Sequence, residues 1–335
     1  MNVIFMGTPD FAVPTLQKLH ESSHNIVLVV TQPDKPFGRG KKLKKSEVKE
    51  TAEKLGLEIF QPDKIKKQEN LEIVKSYNPD VIVVVAYGQI LSKEILTLPK
   101  YGCINVHASL LPKLRGAAPL NWAIINGETK TGVTTMQMDV GLDTGDMLLK
   151  SEVEIDENMN VGELHDVLMH KGADLLIETL EKLDKNELVP EKQEDSLSNY
   201  APMFNNENRK INWNLTAKSI HDLIRGLSPW PTAFFTMDEK PVKVYKSSYI
   251  NDNLDYEPGY VIKANNEGIF VKAKDGIVIL QEIQMPDKKR MTVEAYLRGN
   301  KFPEKRILGT DLWILGTDLE MIFCYKCNYH TACLL

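Results

Sequence analysis

Three continuous apolar runs, NVIFMG from Asn2, NIVLVV from Asn25 and VIVVVA from Val81, limit what this chain can fold into. Runs this short, with no polar residue alternating through them, are what strands look like when both faces of a sheet are covered. Between them lie helix-patterned stretches, FAVPTLQKLHES, SEVKETAEKLG and ENLEIVKSYN, and one short EIFQP run. Strands alternating with helices predict an α/β fold built on a mostly parallel sheet with crossover helices. Ligands of such sheets gather beyond the carboxyl ends of the strands, so the turns that follow strands are where chemistry is expected.

The turn after the first run is GTPDFA, with Gly7 for the bend and Pro9 near a helix start. It lacks G-x-G-x-x-G, and G-x-x-x-x-G-K-[ST] occurs nowhere, so neither a dinucleotide nor a nucleoside triphosphate is indicated. The longest apolar run, Val81 to Ala86, is too short to span a bilayer, and MNVIFMGTPDF has no basic segment or cleavage site. With 335 residues, 42% hydrophobic and 26% charged, the chain suits about two globular domains. Its 4 cysteines, Cys103 alone and Cys324, Cys327 and Cys333 together, make no disulfide framework. A cytoplasmic protein with no membrane partner is expected.

From about Asn186 the sequence turns polar and loses its period, which predicts a linker over 189–206 after a first domain at 1–188. LTAKSIHDLIRGL then reads as a helix ending at Gly226. The runs AFFTMDEKPVKVYKSSYI and GYVIKANNEGIFVKAKDGIVILQEIQ, broken by DEK, NNEG and KDG turns, read as an antiparallel meander closing a small barrel over 207–308. The formal charge of −5 argues against a basic coat, but DKPFGRGKKLKK concentrates Lys35, Arg39, Lys41, Lys42, Lys44 and Lys45, and the barrel carries a modest excess of Lys and Arg. Taken alone, a basic run of this kind is usually a solvated surface loop.

In INVHASLLPKLRGAAP, Asn105 and His107 stand two apart in a strand pattern and therefore share a face near its end. Such a pair often does no more than satisfy backbone groups. A second loop, MQMDVGLDTGDM, offers Asp139, Asp143 and Asp146 among Gly141 and Gly145. A carboxylate brought beside His107 would orient the ring and favour its charged form, and the Asn amide could donate to an oxygen gaining negative charge. An Asn donor, a cationic His and a carboxylate suit acyl transfer through a tetrahedral oxyanion, with the nucleophile supplied by the substrate. There is no G-x-S-x-G, and Cys103, read as out of phase with the pair, is not expected to act as a nucleophile. Nothing near His107 has metal-ligand spacing, so no metal is expected.

GTPDFA, TQPDKPFGRGKKL, VVAYGQIL, NVHASLLPKLRGAAP and GVTTMQMDVGLDTGDML, in this order from residue 1 to about 308, resemble the methionyl-tRNA formyltransferase family. The resemblance implies a Rossmann-like formyltransferase domain followed by an OB-like barrel. It also implies 10-formyltetrahydrofolate as co-substrate and initiator methionyl-tRNA as partner. Asn105, His107 and Asp143 match the family's catalytic trio, and Ser109, Leu110, Leu111 and Pro112 match its folate-contacting turn. Gln89, Ile90 and Leu91 align with a loop that lines the pterin pocket in the wider group. The basic loop with Arg39, Lys41, Lys42 and Lys44 matches an insertion that reaches the tRNA acceptor end. A monomer is expected.

The trio is shared with formyltransferases acting on small amines such as a ribonucleotide or an amino sugar, and a noncatalytic RNA-binding relative is the more distant alternative. Residues 309–335 follow no family pattern. ILGTDL occurs at 307–312 and again at 314–319, and Cys324, Cys327, His330 and Cys333 follow at spacings tighter than common zinc modules. An appended tail outside the fold is expected there.

Overall fold

The computed structural model describes residues 1–37, 42–252 and 254–309. Arg39, Lys41 and the Cys324–Cys333 cluster lie outside the described residues, and so does the side chain of Lys42. The chain divides into two compact units. The first comprises Met1–Ala123, Thr129–Asp156 and Glu163–Met203; the second comprises Ile124–Glu128, Glu157–Gly162 and the chain from Phe204 onward. Two short stretches from the first half of the sequence thus belong with the second unit, and most of the stretch expected as a linker belongs with the first.

The first half of the chain runs β1 (Asn2–Gly7), α1 (Val13–Glu21), β2 (Asn25–Val30), β3 (Lys35–Phe37), β4 (Lys42–Lys44), α2 (Glu47–Lys54), β5 (Ile59–Phe60), α3 (Gln68–Ser76) and β6 (Val81–Val85). It continues α4 (Lys93–Leu96), β7 (Cys103–His107), β8 (Arg115–Gly116), α5 (Pro119–Ile125), β9 (Lys130–Gln137), β10 (Met147–Glu154), α6 (Val161–Asp184) and β11 (Tyr200–Ala201). Seven strands form one sheet in the order β10-β9-β7-β6-β1-β2-β5. The five from β5 to β7 are parallel, and β9 and β10 extend the sheet antiparallel.

The apolar runs become strands because both of their faces are covered. Ile4, Met6, Leu28, Val30, Ile82 and Val84 enter one core with Val74, Ile95 and Leu96 from helices, while the alternate residues Val3, Phe5, Val29, Val81, Val83 and Val85 are also fully buried. Each such side chain is worth about 1.5–3 kcal/mol of apolar burial. α2 starts where Ser46 accepts from the Lys49 amide at 3.1 Å, an ordinary N-cap. Gly7 closes β1 where a Cβ would lie 2.8 Å from the Phe5 ring and 2.9 Å from the Ala12 Cβ. Only a residue without a side chain admits the following turn that closely. The β1–β6 boundary is where strand order reverses, and there the Thr8 hydroxyl donates to the Tyr87 carbonyl at 2.8 Å.

The second half runs α7 (Asn206–Arg209), α8 (Ala217–Gly226), β12 (Ala233–Met237), β13 (Lys240–Ile250), β14 (Val261–Asn265), β15 (Gly268–Lys272), β16 (Ile277–Gln284), β17 (Met291–Thr292) and α9 (Val293–Leu297). The meander is one antiparallel sheet in the order β12-β13-β16-β15-β14, with β17 beside β16. Its core joins Val242, Val244, Val271, Val278 and Leu280 to Ile220, Leu223 and Ile224 of α8. α8 also buries three polar side chains, His221, Asp222 and Arg225. His221 faces Ser247 Oγ at 3.1 Å and the Glu157 carbonyl at 3.4 Å, and Arg225 donates to Asp222 and to the Met159 carbonyl at 2.8 and 2.9 Å. Those bonds hold 157–162 in the second unit. Among the described residues no helix is long and apolar enough to cross a membrane.

Candidate active site

β7 ends at His107, and its neighbours β6 and β9 hold it on both sides. Alternation along this strand places Cys103, Asn105 and His107 on one face. Cys103 is therefore in phase with the pair, contrary to the sequence reading. What removes it from chemistry is burial: its thiol is fully enclosed, faces the Ile95 carbonyl, and is pushed up to about 12. A buried thiol with almost no thiolate is no nucleophile. The Asn105 side chain makes no hydrogen bond among the described residues, which leaves its amide donors available.

His107 is nearly fully buried, and its Nε2 lies 3.0 Å from the Leu114 carbonyl oxygen. A carbonyl can only accept, so this bond puts a proton on Nε2 and leaves Nδ1 as the atom that faces the site. Asp143 Oδ2 stands 3.7 Å from that Nδ1. The same oxygen accepts from the Gly116 amide at 2.8 Å, which fixes the direction of the carboxylate. At 3.7 Å the pair falls short of a direct hydrogen bond. Such contacts in unliganded enzymes are often long and tighten once substrate binds.

The turn SLLPKL bends the chain from His107 back to Leu114. Ser109 Oγ donates to the Lys113 carbonyl at 2.6 Å, and the Thr134 hydroxyl donates to the Ser109 carbonyl and accepts from the Leu111 amide. Leu111 is buried against Met136 and Met147. The side chains of Ser109 and Leu111 are thus spent inside the protein, while Leu110 and Pro112 are half-exposed. The Gln89 loop divides in the same way. The Gln89 amide accepts from the Ile65 amide and donates to the Pro62 carbonyl, Leu91 joins the core, and Ile90 is 90% exposed.

The Asp143 loop is shaped by a close crossing. A Cβ on Gly145 would fall 1.8 Å from the Gln137 carbonyl oxygen, so only glycine lets the Gln137 amide reach the Asp146 carbonyl at 2.8 Å. Asp139 turns back on its own loop, accepting from Gly141 and Thr144. Val140 and Leu142 are left exposed. Of the three aspartates in the loop, Asp143 is the one paired with His107.

The basic segment is a short hairpin, β3 against β4, which the sequence reading did not anticipate. Lys44 at its base pairs with Glu47 at 2.6 Å, an exposed ion pair that raises the Lys44 ammonium above its ordinary value through that bond. Among the described residues no group of three or more His, Cys, Asp or Glu is placed to hold a metal.

A family model of formyl transferases matches residues 1–180, and one of the formyl transferase C-terminal domain matches 204–301. A methionyl-tRNA formyltransferase of Clostridium novyi is 53% identical over 309 residues, covering 92% of this chain and 100% of the relative. Another from Clostridioides difficile is 51% identical with the same coverage. Among solved structures, a sugar 3N-formyl transferase crystallised with dTDP and 5-N-formyl-THF is similar at a TM-score of 0.64 and 22% identity, covering 86% of this chain and 99% of its own. An N-formyltransferase from Helicobacter canadensis with folinic acid and dTDP-3-aminofucose follows at a TM-score of 0.62, 20% identity and coverages of 84% and 99%. At these identities the two structures establish likeness of fold.

Proposed function

From the premise that this chain belongs to the formyl transferase family, among the methionyl-tRNA formyltransferases, we propose that Asn105, His107 and Asp143 perform its reaction. The enzyme transfers the formyl group of 10-formyltetrahydrofolate to the α-amino group of methionine on initiator methionyl-tRNA. The amine nitrogen forms a bond to the formyl carbon, and the carbonyl electron pair moves onto oxygen. Collapse of that intermediate breaks the bond to N10 of the folate. The attacking nitrogen loses one proton and N10 gains one, so the exchange balances without a metal or an enzyme-bound acyl group.

Asn105 donates to the developing oxyanion, which costs no rearrangement at the moment of reaction because its amide is already free. His107 acts through Nδ1, since Nε2 is held by Leu114. Asp143 balances positive charge on the ring and assists proton transfer from the amine. The observation that carries this reading is the His107–Asp143 pair, oriented from one side by the Leu114 carbonyl and from the other by the Gly116 amide. Gln89, Ile90, Leu110 and Pro112 are the members of the two expected folate segments with surface to offer a ligand.

Arg39, Lys41, Lys42 and Lys44 of the basic segment meet phosphates at the acceptor end of the tRNA, as lysines and arginines do on nucleic acid. A role in translation initiation places the enzyme in the cytoplasm, and it acts as a monomer, which sedimentation would check. The first experiment offers labelled 10-formyltetrahydrofolate with methionyl initiator tRNA, methionyl elongator tRNA and free small amines side by side. Formylation of the initiator tRNA alone is expected. Transfer to a small amine instead would discard the tRNA reading and keep the trio.

A further inference from the structure

Residues 191–201 have no apolar period, yet they are fastened along their length to the segments that carry His107 and Asp143. Glu191 exchanges two backbone bonds with Met147 at 2.8 Å. Gln193 Nε2 donates to the Asp143 carbonyl at 2.8 Å and to the Gly145 carbonyl at 2.7 Å. Its Oε1 accepts from Arg115 Nε at 2.9 Å, and the same guanidinium pairs with Asp195 at 2.9 Å. Further on, Asn199 Oδ1 accepts from the Leu114 amide, and β11 pairs in parallel with β8.

Two of the residues gripped in this way are strained. Asp143 has φ of 53° and Leu114 has φ of 59°, the left-handed region that a residue with a side chain enters at a cost of about 1–2 kcal/mol. Such conformations persist where surrounding bonds over-determine them. Gln193 brackets Asp143 by holding its carbonyl and the one two residues on. Asn199 holds the amide of Leu114, whose carbonyl in turn holds His107 Nε2. One segment therefore anchors the backbone behind both halves of the His107–Asp143 pair.

We infer that residues 191–201 are a positioning strap for the transfer reaction, in which Gln193 sets Asp143 and Asn199, through Leu114, sets His107. This rests on the reading of His107 and Asp143 as transfer residues. Neither strap residue touches a reacting atom. Each acts on the spacing and angle of groups that do, where a shift of about 1 Å can cost on the order of a hundredfold in rate.

Gln193→Met keeps the length of the side chain and removes both donors. In full-length enzyme with initiator methionyl-tRNA, kcat is expected to fall by roughly 10 to 100-fold while KM for 10-formyltetrahydrofolate moves by less than about threefold. In an Asp143→Asn background the same change should cost less than about threefold more, because the group it positions is already disabled. Asn199→Leu should also slow transfer, and Asn199→Asp, which keeps the acceptor oxygen, should recover most of that loss. Should Gln193→Met fail to fold, Gln193→Glu keeps the bond from Arg115 and loses the two donors, and carries the same comparison. A kcat within about twofold of the parent, or equal losses in both backgrounds, overturns the strap. Full activity in Asp143→Asn itself would overturn the catalytic reading instead, whatever Gln193 does.

Discussion

Thr134 is fully buried and faces His107 across the β7–β9 ladder. Its hydroxyl donates to the Ser109 carbonyl at 2.7 Å and accepts from the Leu111 amide at 3.2 Å. Thr134→Val keeps the shape of the side chain and deprives both backbone groups of this partner. Each buried group so stranded costs about 1–3 kcal/mol, or about 2–6 kcal/mol for two. The added methyl recovers about 1 kcal/mol of apolar burial. The expected loss of stability centres near ~3 kcal/mol. At about 2–4 °C per kcal/mol for a unit of this size, the thermal midpoint drops by about 6–12 °C. Circular dichroism melts and urea midpoints of parent and variant measure this directly. The same turn carries Leu114, so formyl transfer well below the midpoint should also slow. A loss under about 0.5 kcal/mol, the range of indifferent surface changes, together with normal transfer would refute the idea that this hydroxyl holds the turn.

Asn105→Ala removes a free donor that no other described residue uses, so kcat should fall by roughly a hundredfold or more with an unchanged melting midpoint; a near-normal rate would remove Asn105 from the oxyanion role. Arg39→Ala should weaken tRNA binding and flatten its salt dependence, and identical binding at physiological salt would count against the hairpin as a tRNA contact. His221 lies below its ordinary value of 6.5, first because of burial and then because of the Arg225 charge. The unfolded chain therefore binds this proton before the folded one does, and stability is lost as pH falls through about 6.5. Urea midpoints at pH 7 and pH 5 should differ less in His221→Gln than in the parent, and equal differences would exclude this residue as a source of acid sensitivity. Removing 310–335 should leave transfer intact, and zinc-dependent folding of the full chain would contradict that.

The strands were legible because their neighbours cover both faces, and that burden is written into the residue types of β1, β2 and β6. The Asn105–His107 pair was legible because strand parity is strictly two. Parity also puts Cys103 on that face, and only the enclosure of its thiol, a tertiary property, shows why it is inert. Leu91 and Leu111 sit in folate-loop motifs but turn into the core, which residue type alone cannot decide for a leucine in a loop. The 191–201 segment reads as linker for a related reason. Its order comes from amide side chains bonding distant backbone, Gln193 to carbonyls about fifty residues away and Asn199 to the Leu114 amide, and such bonds leave no periodicity. The β3–β4 hairpin is three residues a side and half lysine, below the length at which alternation can be seen.

The bonds from α8 to the Glu157–Gly162 stretch bear on how such enzymes can trade parts. His221 reaches the Glu157 carbonyl, Arg225 the Met159 carbonyl, and the Ser228 carbonyl accepts from the Gly162 amide. A chimera spliced near residue 203 would bring a foreign α8 to a native 157–162, and every one of these bonds would depend on two parents agreeing. The border visible in a gene is therefore not the border along which this protein comes apart. Successful exchange of the second unit between relatives should require carrying Ile124–Glu128 and Glu157–Gly162 along with it, so that the transplanted module is assembled from three separate stretches of sequence.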